Sequence, residues 1–289
     1  MLLKGILEDC GVTINRYEPV PGGDINHCYC LYAHNAKYFL KVNDAKRYSR
    51  MFEEEANGLQ ALSNGLPTLE RMATLIVPEV IKCGIEKQQQ YLLLEWIEAG
   101  KAKSNSWENF GAALATMHQQ PQSYFGWEED NFIGNLPQYN TKHNSWHLFY
   151  TECRIMPLVE MLFNAGAFNK QNVIDAENLC KRFEQLFPQE PPALLHGDLW
   201  SGNFMITSTG EAAIYDPAVY YGHREMDIGM TKLFGGFDQR FYTAYNEVYP
   251  LEKSWLQRLS LAQLYPLLVH AALFGGHYVM SVRNIIKQF

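Results

Sequence analysis

Two apolar runs that break into polar loops constrain this chain more than any other feature. Leu194-Leu195 leads into His196-Gly197-Asp198-Leu199-Trp200-Ser201-Gly202-Asn203, and Ile214 leads into Tyr215-Asp216-Pro217-Ala218. Runs of this kind suit buried strands, each delivering its polar residues to the loop at its end. The loops then carry a carboxylate (Asp198), an amide five residues on (Asn203) and a second carboxylate thirteen residues beyond that (Asp216). These groups fit phosphoryl transfer. Asp198 can orient and deprotonate a hydroxyl, and Asn203 and Asp216 offer hard oxygen ligands to Mg²⁺ bridging the phosphates of ATP. A turn rich in Gly, Asp and Asn could carry D-x-x-x-x-N by itself. The preceding His196-Gly197 and the matching distance to Asp216 argue against that reading.

A second pair lies upstream. Lys41 sits in the apolar stretch Tyr38-Phe39-Leu40-Lys41-Val42, where a cation is costly unless paired. Fourteen residues later comes Glu55. Phe52, Ala56, Leu59 and Leu62 recur at three- and four-residue spacing, which predicts a helix with an apolar face. Glu55 borders that face, while Glu53 and Glu54 can point to water. A strand lysine fixed by a helix glutamate and gripping the α- and β-phosphates is one reading; a surface lysine beside a solvated acidic face is the other. The downstream loop favours the first. Before them, Val12 to Val20 reads as a strand that Pro21-Gly22-Gly23-Asp24 breaks. Gly22 and Gly23 allow either a plain hairpin turn or a loop whose N–H groups point at a phosphate. Cys28 to Ala33 and Lys37 to Val42 follow as strands. Another begins at Val77-Pro78-Glu79-Val80 with a turn near Gly84, and Tyr91 to Ile97 is apolar enough to be buried.

Ser106 is a fair N-cap for a helix buried through Phe110, Leu114 and Met117, with His118 in a structural role. Residues 121 to 145 read as a loop that could form a lid or part of a substrate wall. Helices are expected from Trp146 to Asn164 and from Val173 to Phe187. After Asp216, the run Val219-Tyr220-Tyr221-Gly222-His223-Arg224-Glu225-Met226-Asp227 is dense in groups that bind polyols, and Asp227 reads as a structural acid holding the Asp198 loop. A formal net charge of −7 over 289 residues argues against a nucleic-acid partner. The six cysteines show no C-x-x-C spacing and read as reduced thiols of a cytoplasmic protein, with Cys28 and Cys30 on one side of a strand for packing or for redox chemistry. The N-terminus does not read as a signal peptide, and no run of about eighteen apolar residues would span a membrane.

With those residues in view, the chain resembles the fructosamine kinase and ketosamine kinase family. His196-Gly197-Asp198 with Asn203 marks the wider superfamily of aminoglycoside, choline and homoserine kinases. Trp200 inside that loop and the run Asp216-Pro217-Ala218-Val219-Tyr220-Tyr221-Gly222-His223-Arg224-Glu225-Met226-Asp227 are more specific, and Phe274-Gly275-Gly276 matches a C-terminal signature. The resemblance implies an α+β, two-lobed protein-kinase-like fold. A small N-terminal antiparallel-sheet lobe (residues 1–97) would end at the hinge, and a larger, mostly helical lobe (98–289) would carry catalysis and substrate. ATP and Mg²⁺ are the implied cofactors. The implied reaction is phosphorylation of a sugar hydroxyl of a ketosamine, a fructosamine or ribulosamine attached to an amine, in protein or metabolite deglycation. Asp198 is then the base, Asn203 and Asp216 the metal ligands, Lys41 with Glu55 the phosphate clamp, and Gly22 and Gly23 the phosphate loop. Backbone groups of Glu95, Trp96 and Ile97 would meet the adenine, and Trp200, Tyr220 and Arg224 would face the substrate. Some members place a cysteine directly after the glycines; here Asp24 stands there. The partner expected is a small-molecule ketosamine or glycated amine, with the enzyme a monomer or homodimer. The alternative is a related small-molecule kinase of the aminoglycoside or choline type. A nucleotide-binding module without catalysis would lack the lysine, the base or a metal ligand, and all are present.

Overall fold

The computed structural model describes residues 2–21, 25–66 and 75–289. Helix α1 (Leu2–Asp9) is followed by strands β1 (Ile14–Val20), β2 (His27–Ala33) and β3 (Lys37–Asp44), then helix α2 (Met51–Asn64). Strands β4 (Leu75–Ile76), β5 (Val80–Glu86) and β6 (Gln89–Glu95) complete the first third of the chain. Five of these strands form one antiparallel sheet in the order β1-β2-β3-β6-β5.

Alternation along the strands sorts side chains to two faces. Leu40, Val42, Tyr91 and Leu93 pack with Ile6 and Cys10 on the α1 side. Phe39, Leu92 and Leu94 pack with Phe52 and Leu59 of α2 on the other. Strand β6 is therefore covered on both faces, which is why its sequence is a continuous apolar run. The same alternation puts Lys41 on the face of Phe39, toward α2. The turn expected near Gly84 lies elsewhere. Gly84 is inside β5 opposite Tyr91, whose phenol occupies the space of the missing side chain, and the chain reverses at Lys87 with φ 58°.

The rest of the chain is mostly helical. Helix α3 (Ser106–His118) begins without a side-chain cap: Ser106 is already inside it, its hydroxyl accepting from Lys103 N at 2.8 Å and donating to the Gly210 carbonyl. Within the segment expected as loop, β7 (Asn131–Ile133) and β8 (Leu136–Gln138) form a hairpin. The helix expected from Trp146 to Asn164 is continuous but changes register: α4 (Trp146–Phe149), a π-helical stretch Tyr150–Ile155, then α5 (Met156–Asn164). Pro157 opens α5; it has no N–H to give the preceding turn, and the widened π turn absorbs the mismatch. The next expected helix is split at Lys181-Arg182 into α6 (Lys170–Cys180) and α7 (Phe183–Leu186).

Four short strands then carry the polar loops: β9 (Ala193–Leu195), β10 (Phe204–Ile206), β11 (Ala212–Ile214) and β12 (Tyr220–Gly222). β9 pairs with β12; β10 pairs with β11, and β11 with β4 in parallel. Helices α8 (Glu225–Leu233), α9 (Gln239–Val248), α10 (Leu259–Ala262), α11 (Leu264–Phe274) and α12 (His277–Gln288) close the fold. Phe110 and Leu114 of α3 bury against Phe241 and Tyr245 of α9. A second core gathers the π stretch, α11 and α12 around Tyr150, Phe183 and Leu268. The architecture agrees with the α+β expectation of an antiparallel sheet followed by a larger helical part. Among the described residues no helix is long and apolar enough to cross a membrane.

Candidate active site

The two short strands β9 and β11 are fully buried, and both point their C-terminal ends at one place. The loop after β9 carries Asp198, Trp200 and Asn203; the loop after β11 carries Asp216. Backbone bonds lock the loops together: Ala218 N donates to the His196 carbonyl at 2.9 Å, and Tyr215 N to the Asn203 carbonyl at 3.1 Å. His196 adds a bridge. Its Nε2 donates to the Tyr215 carbonyl at 3.0 Å while its Nδ1 accepts from Asp198 N at 3.3 Å. That pattern requires the neutral ring, and burial holds its pKa below the ordinary value.

Asp227 acts as the structural acid expected. Its carboxylate accepts from His196 N at 2.8 Å and Gly197 N at 2.9 Å, and His118 Nε2 lies 3.3 Å away. Burial alone would raise its pKa; the His118 bond, the two neighbouring imidazoles and the Gly197 N–H outweigh burial and lower it. His118 is itself held by the Tyr245 hydroxyl at 2.8 Å, the structural part assigned to it.

The candidate catalytic groups meet at this junction. Asn203 Nδ2 donates to the Asp198 carbonyl and to Asp198 Oδ2, both at 2.9 Å, which leaves its Oδ1 as the free hard ligand. Lys41 is buried, with Nζ 2.7 Å from Glu55 Oε1 and 2.7 Å from Asp216 Oδ1. Burial disfavours its charge, but the two carboxylates win and hold its pKa above the usual lysine value. Burial pushes Glu55 up to about 7, with Lys41 pulling it back. Asp198 is also pushed up to about 7. Burial is the first cause and the charges of Asp216 and Asp227 add to it, against the Asn203 bond. A half-buried carboxylate poised near neutrality suits a general base.

Asp216 adopts φ 56°, uncommon outside glycine, which aims its side chain back toward Lys41. The donor set fits Mg²⁺: an amide oxygen and a carboxylate on adjoining loops, completed by phosphate oxygens. Among the described residues no cluster of three His, Cys, Asp or Glu could cage a metal without such help.

These residues line a cleft of about 220 Å³ between α2 and the two loops. Trp200 lies in it, its ring 5.7 Å from that of Phe234. The β7–β8 hairpin, packed on α2, adds a wall through Asn131, Phe132 and Gly134. The sequence marked that segment, with Asn131-Phe132-Ile133-Gly134 in it, as a possible lid or substrate wall. Glu54 also lines the cleft and is buried beside Arg50, 2.8 Å away, instead of facing water as expected. It points inward because it neighbours Glu55 on the helix face that packs toward β7.

Two expected substrate contacts are elsewhere. Tyr220 is buried in the helical core, with the Arg154 guanidinium 4.1 Å above its ring. Arg224 is buried in a forked pair with Glu190 at 2.8 Å and donates to the Tyr249 and Pro250 carbonyls, each at 2.7 Å. Neither lines the cleft. A guanidinium whose bonds are all consumed internally is structural. At the end of β6, Glu95 N donates to the Glu79 carbonyl, and the Trp96 ring lies against Phe39 at 6.2 Å. Ile97 follows, half-buried. Gly22, Gly23 and Asp24 lie outside the described residues. The six cysteines are unpaired; burial raises Cys28, on the strand beside Lys41, to about 11, which keeps it a thiol.

A family model described as fructosamine kinase matches residues 6–289. A "Probable ketoamine kinase" of Synechocystis sp. is 41% identical over 279 residues, covering 95% of this chain and 90% of that protein. A protein-ribulosamine 3-kinase, chloroplastic, of Arabidopsis thaliana is 34% identical over 290 residues, covering 98% of this chain and 85% of the plant protein. A crystal structure assigned as a fructosamine-3-kinase from Thermobifida fusca superposes with a TM-score of 0.84 at 34% identity, covering 96% of this chain and 94% of that one.

Proposed function

This chain belongs to the fructosamine kinase family, a protein-kinase-like fold, and from that premise we propose how its cleft performs ATP-dependent phosphorylation of a ketosamine sugar hydroxyl. Asp198 accepts the proton of the attacking hydroxyl. The hydroxyl oxygen bonds to the γ-phosphorus, the bond from that phosphorus to the β–γ bridging oxygen breaks, and ADP leaves with the electron pair. Asn203 and Asp216 would hold Mg²⁺, which would neutralise charge on the phosphates. Lys41, fixed by Glu55, takes the α- and β-phosphates; Gly22 and Gly23 cradle phosphate and the backbone of Glu95, Trp96 and Ile97 receives adenine. Trp200 offers its ring face to the sugar.

Lys41 is shared between Glu55 and Asp216. Incoming phosphates compete for Lys41 and free Asp216 for the metal. The lobe boundary belongs at residues 97 and 98, with β4 as the exception: it precedes the boundary yet pairs with β11 beyond it. Unpaired thiols suit a reducing cytoplasm, and the reading leaves the enzyme a monomer or homodimer acting on a small glycated amine.

The observation that supports this most directly is the Asp198–Asn203 pair in the cleft, beside an Asp216 whose carboxylate is held by Lys41. An ADP-release assay with Mg-ATP against ribulosamines, fructosamines, choline and an aminoglycoside tests it. Turnover is expected on the ketosamines, at least a hundredfold above choline in kcat/KM. Turnover confined to choline or the aminoglycoside would keep the catalytic groups and replace the substrate.

A further inference from the structure

Arg154 is the largest fully buried side chain among the described residues. Its acceptors are neutral: the Tyr139 carbonyl, the Cys153 carbonyl at 3.0 Å and Asn140 Oδ1 at 2.8 Å. Its Nε has no partner. The guanidinium is sandwiched by aromatic rings instead, 4.1 Å from Tyr220, 4.5 Å from Phe149 and 5.2 Å from Tyr265. A cation buried this way is a poor source of stability, because an apolar side chain of similar volume would avoid the desolvation cost. It also lies in the π stretch, a geometry frequent at functional sites.

What Arg154 holds suggests its use. Asn140 donates to Asn131 Oδ1 at 2.9 Å, and Gln138, opposite Asn131 in the hairpin, donates to the same oxygen at 2.8 Å. The hairpin is then tied to the metal-ligand loop: Asn131 Nδ2 donates to the Val219 carbonyl at 2.8 Å and Gln138 Nε2 to the Ala218 carbonyl at 3.0 Å. Those carbonyls lie two and three residues after Asp216. The Tyr265 hydroxyl closes the network on Gln138 Oε1 at 2.9 Å. Arg154 thus grips the hairpin at Tyr139 and Asn140 and stacks on Tyr220, the residue next to Val219. The same hairpin presents Phe132 and Gly134 to the cleft.

We infer that Arg154 is a positioning residue for the acceptor, setting the distance between the hairpin wall and the loop that carries Asp216. The inference rests on the ketosamine kinase reading of the cleft. It predicts an effect on the acceptor and not on the nucleotide, since the bonds of Arg154 and Gln138 run to the hairpin and to the Ala218 side of the Asp216 loop, and not to Lys41 or β6.

Steady-state kinetics on Arg154→Lys, Arg154→Met and Gln138→Leu test it, with the ribulosamine of butylamine as acceptor. Arg224→Lys, altering a buried arginine that does not touch the cleft, is the comparison. The acceptor KM should rise at least tenfold in the Arg154 and Gln138 variants while the KM for ATP stays within twofold. Arg224→Lys should leave both within twofold. If Arg154→Met fails to fold, the other two variants decide. Unchanged acceptor KM in Arg154→Lys and Gln138→Leu, with only a lower unfolding temperature, overturns the inference and leaves Arg154 structural. Turnover of the ribulosamine by the wild-type enzyme tests the underlying reading separately. If wild type is silent on it, amide hydrogen exchange decides. Faster exchange at residues 131–138 and 218–220 in Arg154→Lys than in Arg224→Lys supports the inference, and equal exchange overturns it.

Discussion

Asp198→Asn should lower kcat on a ketosamine by about a thousandfold while leaving the Kd for Mg-ATP within about twofold. The factor corresponds to about 4 kcal/mol of transition-state stabilisation and lies in the range of a positioned general base. The geometry makes the substitution clean. Asn203 Nδ2 donates to Asp198 Oδ2, and an amide oxygen at that position can still accept the bond. What disappears is the capacity to take a proton. The expected stability change is the reverse of the usual one for a buried polar site. Burial and the charges of Asp216 and Asp227 push the Asp198 carboxyl up to about 7, so removing it relieves like-charge repulsion. The unfolding temperature should hold or rise. Calorimetric titration with Mg-ATP beside the turnover assay separates the roles. A tenfold loss of nucleotide affinity would make Asp198 a phosphate or metal residue, and a kcat loss under tenfold would remove it as the base.

The convergence of the candidate site residues was legible because its signals are local. Asp198, Asn203 and Asp216 sit on two short loops whose spacing the chain itself imposes, and each follows a run too apolar to be anything but buried. Lys41 and Glu55 were legible for a different reason: an unpaired cation cannot sit in a buried strand, and the helix that follows offers one acid at the edge of its apolar face. Asp227 was legible as a structural acid, and the carboxylate does hold the loop through two backbone N–H groups. The misplacements share a cause. Tyr220 and Arg224 lie in a run rich in polyol-binding groups, and composition alone does not tell whether such a group faces a cleft or a core. Arg224 is absorbed by Glu190, a partner 34 residues away that no local pattern marks. Glu54 was assigned to water because its helix face was drawn against the sheet alone; the hairpin β7–β8 covers that face as well. The pairing of β4 with β11 joins segments more than a hundred residues apart with two residues each, too little for periodicity to register.

Gly197→Ala should cost about 3 kcal/mol of stability and about a hundredfold in kcat, a joint loss that tests whether the two catalytic loops move as one body. Gly197 has φ 82°, and a Cβ there would stand 2.0 Å from the Ala218 carbonyl oxygen. The left-handed backbone alone costs an alanine about 1 kcal/mol, and forced overpacking typically adds about 2 kcal/mol. The clash has no easy escape. Asp227 holds the N–H groups of His196 and Gly197, and Ala218 N is bonded to the His196 carbonyl, so one loop must lift off the other. Asp198 lies next to Gly197 and Asp216 two residues before Ala218. The displacement therefore opens the Asp198–Asp216 distance, where about 1 Å is enough for a hundredfold loss. Gly11→Ala supplies the control. Gly11 has φ 70° with nothing within 4 Å of its missing Cβ, so it should lose about 1 kcal/mol and no activity. Urea unfolding and kcat measured on both variants separate backbone strain from loop coupling. If Gly197→Ala kept wild-type kcat while losing stability, the loops would tolerate separation, and the precision assigned to the Asp198–Asp216 junction would have to come from the substrate and metal on binding.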